Sequence, residues 1–293
     1  MGRDRSISGG LVLWKPAGVT SRHALNLVER RLKFRSLGHT GTLDPLASGI
    51  LVLLGGETRK FQEFLMRRRK VYVARVVLGM GSGSDDSEGP LWCSVPQATM
   101  PTREEIEDVL PEFEGEVLQC PPQLSAVRTG GERAYRKVRR GESVEVEPRR
   151  VVSHSIRVLE WQAPVLTLEV ECGAGYYVRS LARDLGERLG TDGFLAGLRR
   201  TQVGSFSEAQ AVPLATVERE SWLTVEELLA SSPRVEVDPV VRDRLSHGQR
   251  VPAGAVGAGR RVVWCDHQVL GLAEVKSGVM YPRRWLAVGS SPS

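Results

Sequence analysis

From Val165 to Cys172, Leu166, Leu168, Val170 and Cys172 alternate strictly with Thr167, Glu169 and Glu171. A two-residue period sets apolar groups on one face of an extended strand, whereas a helix would scatter them around its surface. The segment therefore predicts a strand with one side in a core. Val71 to Leu78 is rich in β-branched residues and apolar on both faces, which predicts a buried central strand. Further strands are predicted at Gly10–Trp14, Ile50–Leu54 and roughly 151–161.

Helices alternate with these strands. Ser21 is placed to N-cap a helix carrying Leu25, Val28 and Leu32 at helical spacing. A short helix bears Phe61, Phe64 and Leu65. Thr102 and Glu105 form a capping box that opens a helix with Ile106, Val109, Leu110 and Phe113 inward. A helix from about Val178 to Leu189 buries Leu181, Leu185 and Leu189. Gly79–Gly89 predicts a mobile loop. From His247 the chain turns Gly- and Val-rich, with Val262–Cys265 and Val269–Val275 predicting a hairpin around Asp266-His267-Gln268. This pattern predicts an α+β fold with a mixed, largely antiparallel central sheet flanked by helices, then a small β-rich appendage. The expected divisions are a flexible head at 1–8, a large domain at 9–235, a β domain at 236–289 and a tail at 290–293.

Of the 293 residues, 41% are hydrophobic and 26% charged, which supplies a sizeable core. No apolar run approaches the roughly 18–20 residues of a membrane span, and Met1–Gly10 lacks the apolar stretch of a secretory signal. A cytoplasmic protein is expected. Cys93, Cys120, Cys172 and Cys265 are scattered without metal-ligand spacing, so neither a disulfide nor a metal is expected. The formal charge is +5, and 34 of the 40 basic residues are arginine. That composition suits a polyanionic partner; a codon bias toward arginine gives the same result.

Three segments hold the candidate chemistry. Gly38-His39-Thr40-Gly41-Thr42-Leu43-Asp44-Pro45-Leu46-Ala47-Ser48-Gly49 is dense in the small residues a backbone needs when it approaches a ligand. It carries one carboxylate and one imidazole, although Asp-Pro is also an ordinary turn starter. Tyr72 follows the basic run Arg67–Lys70; taken alone, it reads as a core tyrosine. Gly173-Ala174-Gly175-Tyr176-Tyr177-Val178-Arg179 is a strand-to-helix junction, which alone reads as a tight turn with a surface arginine. It lacks the string of a phosphate-binding P-loop.

Taken together and in order, these segments resemble the TruB family of bacterial tRNA pseudouridine synthases. The segment 38–49 resembles the family's catalytic motif. Lys15-Pro16-Ala17-Gly18 with Thr20-Ser21 is similar to its N-terminal K-P-x-G motif, and Lys70-Val71-Tyr72 to the strand that supplies a base-stacking tyrosine. Gly175-Tyr176-Tyr177-Val178-Arg179-Ser180-Leu181 resembles its G-x-Y-[IV]-R-[ST] motif, and Leu198-Arg199-Arg200-Thr201 its L-R-R segment. The resemblance runs from about residue 10 to 215. Beyond it, the C-terminal domain resembles the small PUA-like RNA-binding domains through its glycines and Met280-Tyr281-Pro282-Arg283-Arg284.

The resemblance implies isomerisation of uridine-55 in the tRNA T-arm loop. Asp44 would be the catalytic carboxylate, Tyr72 the stacking platform and Arg179 the partner of Asp44. Tyr177 would pack beside the base, and His39 would fill the gap the base leaves. Leu198 would wall the pocket, and Lys15 would lie on the substrate side. It implies no cofactor, no metal, no membrane and no obligate protein partner, with a monomer binding the T-arm stem-loop. The physics agrees: a base must leave its stack at a cost of a few kcal/mol, and an arginine beside the buried carboxylate opposes the rise in pKa that burial brings. Two positions of the family's P-P-x-[YF]-S-A-x-K string differ, Leu124 and Arg128, and Gly83 stands where aspartate is common. The competing readings are a non-catalytic tRNA-binding or folding protein on the same scaffold and a relative that modifies ribosomal RNA.

Overall fold

The computed structural model describes residues 7–94, 99–124, 128–129, 132–133, 140 and 146–286. Strand β1 (Gly9–Lys15) leads through the Lys15–Gly18 turn into helix α1 (Ser21–Leu32). Thr20, not Ser21, caps this helix, its hydroxyl accepting from the His23 N–H. Ser21 is buried and serves a different purpose: its Oγ accepts from Leu43 N at 2.8 Å and donates to Leu43 O at 2.9 Å. The residue before Asp44 is thus pinned by a side chain 22 positions earlier.

Strands β2 (Gly38–His39) and β3 (Ala47–Gly55) bracket the Gly/Thr-rich segment. A 3₁₀ turn (Gly56–Phe61) runs into α2 (Gln62–Met66), then β4 (Lys70–Leu78), β5 (Met80–Ser82) and β6 (Leu91–Cys93). The Thr102–Glu105 capping box forms as expected and opens α3 (Arg103–Val109). There follow β7 (Gly115–Gln119), β8 (Arg128–Thr129), β9 (Glu132–Arg133), β10 (Arg149–Gln162) and β11 (Val165–Cys172). Most of the basic stretch 128–150, including Arg139, lies outside the described residues. Helix α4 (Val178–Arg188) buries Leu181 and Leu185, and β12 (Gly193–Val203) and β13 (Phe206–Ser207) follow. The chain ends with β14 (Val212–Pro213), α5 (Val225–Leu229), β15 (Arg234–Glu236), α6 (Pro239–Ser246), β16 (Val251–Pro252), β17 (Gly259–Cys265), β18 (Gln268–Lys276) and β19 (Val279–Trp285).

Contacts divide the chain into two units, residues 1–43, 50–67 and 209–293 in one and 44–49 and 68–208 in the other. In the first, β14, β1 and β3 lie side by side, β1 and β14 parallel, with β2 antiparallel on β3. The same unit holds a five-stranded sheet in the order β15-β17-β18-β19-β16, packed over Val235, Leu245, Val263, Ala273 and Met280. The predicted hairpin is present there: Asp266 and His267 both take positive φ, the conformation a two-residue turn between twisted strands needs.

The second unit is built on β12-β4-β11-β10-β7, every neighbouring pair antiparallel, with residues 47–49 of β3 parallel to β12. Val165–Cys172 buries the alternating face its sequence predicted. Strand β4 is central, between β11 and β12, and Lys70, Tyr72, Ala74, Val76 and Leu78 form its buried face. Helix α4 covers β12 and β4. No helix among the described residues is long and apolar enough to cross a membrane.

Candidate active site

Asp44 opens a tight turn: the Ala47 N–H donates to the Asp44 carbonyl at 3.1 Å. This is the turn role that Asp-Pro allows, and it leaves the carboxylate projecting, 35% exposed. Gly49 closes the segment with φ +111°. A Cβ there would sit 2.2 Å from the Arg200 carbonyl oxygen, so only glycine lets the turn's exit lie against β12.

Arg179, in the first turn of α4, is 5% exposed. Its Nε lies 3.0 Å from Asp44 Oδ2, and because Nε makes no directed hydrogen bond the contact is an ion pair. The other guanidinium nitrogens are also occupied. Nη1 reaches Asp86 Oδ2 at 3.2 Å and the Ser84 carbonyl at 3.3 Å, and Nη2 donates to the Leu124 carbonyl at 3.1 Å. The surface-arginine reading of this position is therefore excluded by its burial. Leu124, one of the departures from the family string, enters this contact through its backbone.

Asp86 was not anticipated from sequence. It lies in the Gly79–Gly89 segment, expected to be a mobile loop, yet Ser82, Ser84 and Asp86 are all buried there. Its second oxygen accepts from Ser84 Oγ and from Glu88 N. Asp85 pairs with Arg183 at 2.7 Å, one turn along α4 from Arg179. Two consecutive aspartates thus meet two arginines spaced i, i+4 on one helix face, which ties the loop to the helix. Burial pushes the Asp85 carboxyl above the usual range against the pull of Arg183 and Arg179. The available signal was the adjacent Asp pair in a run of small residues, together with the Arg179/Arg183 spacing.

Tyr72 is 8% exposed on the buried face of β4. Burial pushes its phenol above the ordinary value, the nearby Arg200 guanidinium pulls the other way, and the Asp44 carboxylate is close enough to add to the rise. Leu198, half-buried on β12, stands opposite Ala47 and Ala74. The structure therefore gathers Asp44, Tyr72, Arg179 and Leu198 within the second unit.

Tyr177 is the N-cap residue of α4, and its side chain makes no capping bond. Instead Gln119 grips its peptide from both ends, Oε1 accepting from Tyr177 N at 2.7 Å and Nε2 donating to Tyr177 O at 2.9 Å. Gln119 is a second positioning residue that sequence reasoning missed.

His39 and Lys15 belong to the first unit. His39 is half-buried, its Nδ1 accepting from Gly41 N at 3.4 Å and its carbonyl from Gln62 Nε2 at 2.9 Å. Lys15, expected on the substrate side, is fully buried. Its ammonium donates to the carbonyls of Pro16 and Val19 at 2.9 and 2.7 Å. Lys15 thus holds the Lys-Pro-Ala-Gly turn closed from within, because a buried ammonium has to satisfy its donors locally.

Residues 29–178 match the N-terminal domain of the TruB family pseudouridylate synthases, residues 179–243 a tRNA pseudouridylate synthase B C-terminal domain, and residues 233–286 the C-terminal domain of pseudouridine synthase II TruB. The tRNA pseudouridine synthase B of Azoarcus sp. (strain BH72) is 37% identical over 290 residues, covering 97% of this chain and 96% of the relative. That of Burkholderia lata is 39% identical over 293 residues, covering 96% and 90%. A solved Cbf5-Nop10-Gar1 complex contains a chain that superposes with a TM-score of 0.69 at 25% identity, covering 91% of this chain and 78% of that one. Matched over nearly its whole length in this way, the chain belongs to the TruB family of pseudouridylate synthases.

Proposed function

We propose that the protein isomerises uridine-55 in the T-arm loop of tRNA to pseudouridine, working as a monomer without an obligate protein partner. The observation that carries this reading is the ion pair of Arg179 with a partly exposed Asp44, beside the buried face that holds Tyr72. The guanidinium lies 3.0 Å from the Asp44 carboxylate and sets the opposite charge beside it. In this reading the carboxylate acts at the ribose–uracil junction while the C–N bond is exchanged for a C–C bond within the same nucleotide.

The extruded base stacks on Tyr72, with Tyr177 beside it and Leu198 as the apolar wall. His39 takes the place the base vacates in the loop. These roles supply the platform and the substitute stacking that base flipping requires. The C-terminal sheet carries Arg260, Arg283 and Arg284, which suit it to phosphate contacts.

Base-resolution mapping of pseudouridine in unmodified tRNA and, in parallel, unmodified ribosomal RNA, each incubated with the purified chain alone, is the test. New pseudouridine at position 55 supports the reading. Tight tRNA binding with every uridine unchanged would favour the non-catalytic alternative, and modification of ribosomal RNA in place of tRNA would favour the other.

A further inference from the structure

Among the described residues, Arg200 is the largest fully buried side chain, at 2% exposure. It sits on β12 with Tyr72 of β4 directly opposite on one side and Gly49 of β3 directly opposite on the other. Its Nη1 donates to Tyr72 Oη at 3.4 Å, and the guanidinium carbon lies 5.9 Å from the centroid of the Tyr72 ring. Taking a guanidinium out of water is costly, and an apolar side chain of similar volume fills a core without that cost. A merely space-filling role therefore does not account for arginine here.

We propose that Arg200 is a positioning residue of this site, holding the Tyr72 ring through its guanidinium and the exit of the Asp44 turn through its backbone. The inference rests on the reading of Tyr72 as the platform for an extruded uracil. A stacking platform has to present its ring at a fixed tilt. The strand anchors Tyr72 at Cα, and Arg200 anchors it at the far end, at the hydroxyl. The Arg200 backbone also occupies the space a Gly49 side chain would need, so the exit of the Asp44 turn is seated directly against β12 at Arg200. Cys172 on β11 and Asp44 on its turn also act electrostatically on the Tyr72 phenol, and Lys70 on β4 feels both Arg200 and Cys172. The arginine-rich Leu198–Thr201 segment thus contributes a wall at Leu198 and an anchor at Arg200.

Single-turnover pseudouridine formation at saturating tRNA, with the Kd measured in parallel, tests this in the wild type, Arg200→Met and Arg200→Lys. Arg200→Met keeps the volume and removes donor and charge. It should slow the chemical step by about 10²-fold, the loss that a misplacement of about 1 Å brings, with the Kd for tRNA nearly unchanged. Arg200→Lys should recover part of that rate, because an ammonium still offers a charged donor to the phenol oxygen. An active wild type alongside an equally fast Arg200→Met leaves the proposed function standing and overturns this inference. A slow Arg200→Met with Arg200→Lys no faster assigns the loss to packing and overturns it as well. Should Arg200→Met fail to fold, Tyr72→Phe carries the test: loss of the hydroxyl alone removes the anchor, and an unchanged rate overturns the proposal.

Discussion

Arg179 and Asp86 form an ion pair at 3.2 Å in which both side chains are almost completely buried, at 6% and 4% exposure. Its neighbour on the same guanidinium, Asp44, is 35% exposed. One arginine therefore serves two carboxylates with unequal stakes. The buried carboxylate has the guanidinium beside it in place of solvent, whereas the exposed one is partly solvated.

The stability coupling of Arg179 should accordingly run to Asp86 more than to Asp44. Breaking a buried pair from one side costs roughly 3–5 kcal/mol, while partly exposed pairs are worth about 1 kcal/mol or less. In urea unfolding, the Arg179→Ala and Asp86→Ala losses should be strongly sub-additive in the double variant. The Arg179→Ala and Asp44→Ala losses should add nearly linearly. Equal coupling in the two cycles would contradict the asymmetry.

Asp44→Asn should abolish isomerisation while leaving the fold and tRNA affinity close to wild type. The change removes charge and basicity with almost no change in volume, and Asp44 contributes to the turn through its backbone carbonyl, which the variant keeps. Turnover by the purified variant above a contamination control would remove Asp44 from its role.

Tyr72→Leu preserves an apolar side chain on the buried face of β4 and removes the ring. Base–aromatic stacking is worth roughly 1–3 kcal/mol per base. Turnover should fall by more than tRNA affinity, since phosphate contacts elsewhere supply most of the binding. Wild-type turnover in this variant would rule out the stacking platform.

Lys70 makes stability depend on pH in the alkaline range. Burial, assisted by Arg200, depresses its ammonium to about 8 from an unperturbed 10.5. The folded state therefore holds this proton less tightly than the unfolded state, and stability from this group rises as pH climbs from 8 towards 10.5. Relative to Lys70→Met, the wild type should gain about 2 kcal/mol between pH 7 and pH 9.5 by the same linkage. Urea unfolding of both proteins at the two pH values checks it, and a difference independent of pH would place Lys70 in water.

Much of this architecture was legible in the sequence because it depends on short-range periodicity and local backbone chemistry. The alternation at Val165–Cys172, the capping box at Thr102–Glu105 and the Asp266-His267 turn are set by neighbours a few residues apart, and each formed as expected. The motifs bearing Asp44, Tyr72 and Arg179 were legible too, as a resemblance carried by their order. Tertiary structure alone decided what their side chains meet. Asp86 and Arg179 are 93 residues apart, and Tyr72 and Arg200 are 128 apart. Ser21 was expected to cap a helix, yet it binds the backbone of Leu43, and Lys15 turned inward to its own turn. No local rule assigns such partners, because a buried donor, acceptor or charge is satisfied by whichever group the packing of strands and helices brings within about 3 Å.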